Sequence, residues 1–72
     1  MNLSYYADTD SLYIEFSSKD SADSKEISPG IVLDYDDEGE LIGIDIDNAS
    51  KKLDLKLLTI NSVPSEVRIK AA

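Results

Sequence analysis

Seventy-two residues without cysteine or histidine describe one small domain that has neither disulfides nor the Cys/His ligands of a structural zinc site. A chain this short buries only ~60% of the surface its unfolded state exposes, so a tight core, or association with itself or another chain, has to supply the missing stability. The net charge of -8 is unevenly placed, with 13 acidic and 2 basic residues in 1–50 but 2 acidic and 5 basic in 51–72. The acidic body argues against a nucleic-acid surface, which needs a Lys/Arg footprint, and suits encounter with a basic partner.

The N-terminus, Met1-Asn2-Leu3-Ser4-Tyr5-Tyr6, lacks the basic region and apolar run of a signal peptide. No apolar run approaches the ~20 residues of a membrane helix. The expectation is a soluble cytoplasmic protein with no membrane contact.

Leu3 and Tyr5, then Leu12, Ile14 and Phe16, alternate with polar neighbours, the period of half-buried strands. Ala7-Asp8-Thr9-Asp10 between them is a turn cluster. A four-residue loop there sets Tyr5 opposite Leu12 and Leu3 opposite Ile14, with every apolar residue on one face. Residues 17–24 are polar and aperiodic and read as an exposed loop. A short edge strand at 25–28 ends at Pro29, which cannot donate to a ladder.

A second hairpin follows the same plan. Ile31, Leu33 and Tyr35 alternate with Val32 and Asp34, and Ile42, Ile44 and Ile46 with Gly43, Asp45 and Asp47. The loop Asp36-Asp37-Glu38-Gly39 is expected to pair Leu33 with Ile42 and Ile31 with Ile44, with Gly39 in the left-handed position that closes it. Asn48 reads as the N-cap of a helix that carries Lys51 and Lys52 near its end, where the dipole favours cations. Beyond it Leu53, Leu55 and Leu57 alternate like a strand, while Leu53, Leu57 and Ile60 space like a helix. Pro64 blocks a continuous helix, and 66–70 alternate as a last short strand. The fold class is α+β: a small antiparallel sheet of two hairpins (strands at about 2–6, 11–17, 30–35 and 41–47, with the edge strand at 25–28) and a short helix at 48–53. It is a single domain, 1–72, with its core in 2–53 and a C-terminal extension in 54–72.

Little in the chain points to chemistry. No serine sits in a Gly-x-Ser-x-Gly elbow, and Ser50 and Lys51, adjacent on a helix, point apart. Asp34, Asp45 and Asp47 are expected to share the outer sheet face, which offers no cleft to push paired carboxylate pKa values apart. The acidic loops at 8–10 and 36–40 do not match the twelve-residue calcium loop. No catalytic, cofactor-binding or metal-ligating residue is assigned, and the chain is expected not to be an enzyme. Tyr6 and Tyr13 are expected to face outward from adjacent strands, as interface tyrosines do. With Asp34, Asp45 and Asp47 they are the interaction candidates; Gly30, Gly39, Gly43 and Asn48 are the structural ones.

The stretch Tyr6-Ala7-Asp8-Thr9-Asp10-Ser11-Leu12-Tyr13-Ile14 resembles the opening block of the bacterial domain of unknown function 2283 family. Gly30-Ile31-Val32-Leu33-Asp34-Tyr35-Asp36 resembles its second block. Gly39 through Ile46, with Asn48-Ala49-Ser50-Lys51, resembles its third. Gly43 and Ala49-Ser50 are the most telling residues, since alternation alone requires none of them. Tyr6-Ala7 departs from the pattern, which usually has an acidic residue and often a proline there. The resemblance implies a small antiparallel sheet with a short helix and no established activity. Genes of this family often stand beside small RelE-like toxin genes, so the resemblance implies an antitoxin-like partner of a basic toxin. The alternatives are a carboxylate-based site for divalent metal and a purely structural homodimer.

Overall fold

In the first hairpin β1 (Asn2–Tyr6) and β2 (Ser11–Glu15) pair antiparallel with Tyr5 opposite Leu12 and Leu3 opposite Ile14. This is the register that alternation demands, because a slip of one residue would send every apolar side chain to the wrong face. The computed structural model describes residues 1–53 and 68–71. The question of helix or strand at 54–60, and all of 54–67, lies outside the described residues.

β3 (Asp23–Ser28), β4 (Ile31–Tyr35) and β5 (Leu41–Ile46) form a second antiparallel run. The expected pairing of its central hairpin is corrected here. Leu33 lies opposite Ile44 and Ile31 opposite Ile46, two residues further along than the four-residue loop implied. The loop is longer, spanning 36–40: the Asp36 N–H donates to the Glu40 carbonyl at 2.9 Å and the Gly39 N–H to the Asp36 carbonyl at 3.1 Å. A bulge then sets Tyr35 opposite Leu41 and Asp34 opposite Gly43, so Ile42 has no partner on β4. The Ile42 carbonyl accepts instead from the N–H groups of Phe16 and Ser17, at 2.8 and 3.3 Å, and its side chain is buried. A shift of two keeps the aliphatic residues on one face, which is why the alternation survives the wrong register.

The element ends differ from expectation for local reasons. β2 stops at Glu15, not 17, where two successive N–H groups share the Ile42 carbonyl. β4 starts at Ile31 because Gly30 is left-handed, with φ of 76°. β5 stops at Ile46, beyond which the Asp47 N–H donates to the Gly30 carbonyl at 2.8 Å. β3 begins at Asp23, two residues earlier than expected. The helix α1 is one turn, Ala49–Lys52, with Leu53 extended.

The strands stand in the order β3-β4-β5-β2-β1-β6. The two hairpins join through an antiparallel seam of β2 and β5, with Leu12 opposite Ile46 and Ile14 opposite Ile44. β6 (Arg68–Ala71) pairs parallel with β1, so the expected last strand belongs to the same sheet. On the inner face Leu3, Leu12, Ile46 and Ala49 form the buried cluster. Met1, Tyr5, Ile14, Ile31, Ile44 and Leu53 pack against it. Ala49 is fully buried, so α1 seats on the sheet through its first residue. Burying a leucine contributes about 1.5–3 kcal/mol, and Leu3, at 1% exposure, is the largest fully buried side chain. Among the described residues no helix is long and apolar enough to cross a membrane.

Candidate functional site

The outer face of the sheet is laid out in two cross-strand rows. One runs Ser4, Tyr13, Asp45, Val32, Glu26 and the other Asn2, Glu15, Gly43, Asp34, Ser24. Directly opposed residues on antiparallel strands share a face, so Glu15, Glu26, Asp34 and Asp45 all project outward. From β1 to β5 neither row holds a basic residue, but β6 continues them in register with two, Lys70 paired with Ser4 and Arg68 with Asn2.

Tyr13 crosses from its own row to the other. Its hydroxyl donates to Asp34 Oδ2 at 3.0 Å, and the side chain lies over Gly43 on the way. A Cβ on Gly43 would come 2.6 Å from the Tyr13 ring carbon Cζ and 3.1 Å from the Ile14 carbonyl oxygen. That close approach is the physical requirement for glycine at a strand-interior position. The other Asp34 oxygen accepts from the Ser24 hydroxyl at 2.6 Å, and Asn2 Nδ2 donates to Glu15 Oε1 at 2.7 Å. Burial, then the bond to Asp34 and the nearby carboxylates of Asp34, Glu15 and Asp45, push the Tyr13 hydroxyl up to about 12.

Asp45 is different. It is half-buried and makes no hydrogen bond or ion pair among the described residues. Burial first, then the charges of Asp47 and Asp34, raise its carboxyl above the ordinary value. The structure thus brings Tyr13, Asp34 and Asp45 together, with Asp47 close enough to act on Asp45. Tyr6 stands apart, exposed and opposite Ser11 at the hairpin end. The expected exposed tyrosine pair is therefore corrected: Tyr13 is half-buried with its hydroxyl committed inside the sheet.

Two further carboxylates, not singled out from the sequence, hold loops in place. Asp10 is left-handed, with φ of 52°, at the end of the first turn. Its carbonyl accepts the Ala49 N–H at 2.8 Å, and its carboxylate accepts the Ser50 N–H at 3.1 Å, the Ser50 hydroxyl at 2.7 Å and the Tyr5 hydroxyl at 2.8 Å. The cap of α1 is therefore Asp10, forty residues away. Asn48 makes no side-chain cap bond and is itself left-handed, with φ of 52°. The expectation of an Asn48 side-chain cap is corrected: Asn fits here because it tolerates the left-handed region. The bonds from Ser50 and Tyr5 hold the Asp10 carboxyl below its ordinary value.

Asp36, at 4% exposure, closes the second loop: Oδ1 accepts the N–H groups of Glu38 and Glu40, each at 2.9 Å. Those bonds, the Glu40 one foremost, and Lys19 hold its carboxyl low. Oδ2 accepts no hydrogen bond and lies 3.6 Å from Lys19 Nζ. A cleft of about 390 Å³ opens there between the two loops, lined by Lys19, Asp20 and Ser21 on one side and Asp36, Asp37 and Glu38 on the other. The sequence signal for Asp36 is its residue type and place: an Asp that opens a loop closed by Gly39 is the kind of residue whose side chain bonds backbone N–H groups further along the turn. Nothing local could have linked Asp10 to Ser50.

Gly39 is left-handed at φ of 80°, as its turn required, and Gly30 at φ of 76° sits against Asp47 and Lys52. Lys52 Nζ donates to the Asp47 carbonyl. Among the described residues no group of three or more acidic side chains is placed to hold a metal ion.

A family model described as "Protein of unknown function (DUF2283)" matches residues 2–50, from the first strand through the Asp10–Ser50 contact. The chain belongs to the DUF2283 family. The matched residues of this DUF2283 domain include both outer rows, Gly43 and Tyr13. No curated protein and no solved structure matches it.

Proposed function

We propose that this DUF2283 domain is a non-enzymatic protein-interaction module of the cytoplasm that docks on a basic protein, in the manner of an antitoxin on a RelE-like toxin. The observation that carries the reading is the outer face of β2–β5, where Glu15, Glu26, Asp34 and Asp45 project together, the basic positions Arg68 and Lys70 falling in register only at the β6 edge. An acidic patch speeds encounter with a complementary partner and rejects like-charged ones. A structural homodimer through the sheet edge has less support. β3 carries Asp23 and Lys25 on the side of Leu33, a bulge between Glu26 and Ser28, and then Pro29, and charges, bulges and proline keep edge strands from pairing.

The experiment is co-expression with the product of the neighbouring gene. Co-purification of the two and relief of that product's toxicity are the expected results. A product that is neither bound nor toxic removes the antitoxin reading.

A further inference from the structure

We propose that Asp10 is a latch, and that α1 opens away from the sheet as a unit while β1–β5 stay paired. Opening bares the apolar seat that Ala49 fills among Leu3, Leu12 and Ile46. The domain thereby holds a second, apolar surface on its inner face, separate from the acidic outer one and concealed while the latch is closed.

A four-residue helix has no stability of its own, because its nucleus costs more than one turn of bonds returns. It has to be held from outside. The Ala49 N–H, the Ser50 N–H and the Ser50 hydroxyl tie it to the first hairpin, and all of them end on Asp10. The bonds to the carboxylate are charge-assisted and so the stronger ones. The Tyr5 hydroxyl, on the same carboxylate oxygen as the Ser50 N–H, fixes it from the sheet side. The other bonds of the turn stay within 47–53 and move with it: Lys51 N–H to the Asn48 carbonyl, Leu53 N–H to the Ala49 carbonyl, and Lys52 Nζ to the Asp47 carbonyl.

Little apolar surface opposes the opening. Of the turn only Ala49 is buried; Ser50, Lys51 and Lys52 are exposed and Leu53 is half-buried. The strands keep their own ladders, and the end of β5 is fixed before the turn begins, by the Asp47 N–H on the Gly30 carbonyl at 2.8 Å. A segment with few buried apolar contacts, held by exposed hydrogen bonds, opens at lower free energy than the core beside it.

The backbone marks the same place. Among the described residues the non-glycine residues with positive φ are Asp10 and Asn48, each at 52°. One is the latch and the other is the pivot just before α1. Such conformations persist only where surrounding contacts over-determine them, and they gather at switch regions.

The test is amide hydrogen exchange of the full chain labelled with 15N, followed by NMR at rising but sub-denaturing urea. Leu53 is the reporter, because its N–H bonds the Ala49 carbonyl and not Asp10. Its amide should exchange at least about tenfold faster than the protected amides of the β2–β5 seam, at a rate that urea hardly changes, since the opening exposes little surface. Asp10→Gly keeps the left-handed backbone and removes the carboxylate, and should speed Leu53 exchange about tenfold or more. Asp10→Asn keeps the turn and one acceptor oxygen but loses the charge, and should speed it about threefold. A Leu53 amide as slow as the seam, with the same urea dependence, would make α1 part of one cooperative unit and overturn the opening. A fast Leu53 amide that neither Asp10 variant speeds would overturn the latch.

Discussion

The Tyr13 hydroxyl reaches Asp34 across the gap left by Gly43, tying β2 to β4 over the strand between them. Three residues from three strands therefore act as one unit. Glycine weakens a strand interior by removing a side chain and adding unfolded-state freedom. Here the tyrosine fills the vacancy, and its hydroxyl gains a charge-assisted partner at 3.0 Å.

Gly43→Ala should destabilise the domain by about 1–2 kcal/mol, because the new Cβ displaces the ring and breaks its bond to Asp34. The remaining approach to the Ile14 carbonyl, 3.1 Å, is tight but smaller in effect. In a Tyr13→Leu background the same substitution should cost clearly less, since the displaced ring is gone. A double-mutant cycle by urea unfolding measures the difference. Equal costs in the two backgrounds would show that the backbone, not Tyr13, dictates the glycine.

Much of this fold is legible in alternation. Leu3, Tyr5, Leu12 and Ile14 could face one core only with a four-residue turn, and the structure has that turn. The second hairpin shows the limit: its alternation is equally regular, yet a bulge at Ile42 moves the register by two. Period-two reasoning cannot see a shift of two, because it leaves each face unchanged. The outer site was legible in parts. Asp34 and Asp45 fall on the acidic face as the pattern said, but Tyr13's commitment to Asp34 depends on which residue stands between them. That residue, Gly43, was recognisable as unexplained by alternation, and its cause is a contact across strands. Asp10 and Ser50, forty residues apart, meet only because β2 and β5 are neighbours in the sheet.

Asn48 offers a test of the cap. If its side chain capped α1, glycine there would cost a few tenths of a kcal/mol and serine would serve well. The structure reverses this order, since Asn48 is left-handed and bonds no helix N–H. Asn48→Gly should be at least as stable as the parent, and Asn48→Ser less stable by about 1 kcal/mol. Thermal melts of the two variants decide it: serine as stable as asparagine would restore the side-chain cap.

Gly39 tests the same principle without neighbours. It is left-handed, and a Cβ there would meet nothing within 4 Å. Any loss is therefore conformational. Gly39→Val should cost about 1–2 kcal/mol, and Gly39→Asn noticeably less, because asparagine tolerates the left-handed region. A valine variant as stable as the parent would mean the loop can close in another way.

The carboxylates give the domain a pH dependence of two opposite signs. Asp10 and Asp36 are held below the ordinary value of 3.8 by the bonds they accept. Their contribution is present above that value and is lost as pH falls through their lower folded values. Asp45, facing Tyr13, Asp34 and Asp47, is raised by burial and by the two aspartates. Its charge therefore costs stability at neutral pH, and the cost disappears as pH falls below 3.8. Asp45→Asn should accordingly raise Tm at pH 7, with the gain shrinking towards zero by about pH 3.5. Asp10→Asn should lower Tm at pH 7, with the loss shrinking over the same acid range. Calorimetry of the parent and both variants from pH 3 to pH 7 separates the two. At the alkaline end Tyr13, pushed up to about 12, keeps its proton while an unfolded tyrosine ionises near 10, so stability falls between those values. A parent and an Asp45→Asn variant with parallel melting profiles across the acid range would mean that Asp45 is already neutralised, and that its face is not the uncompensated surface described.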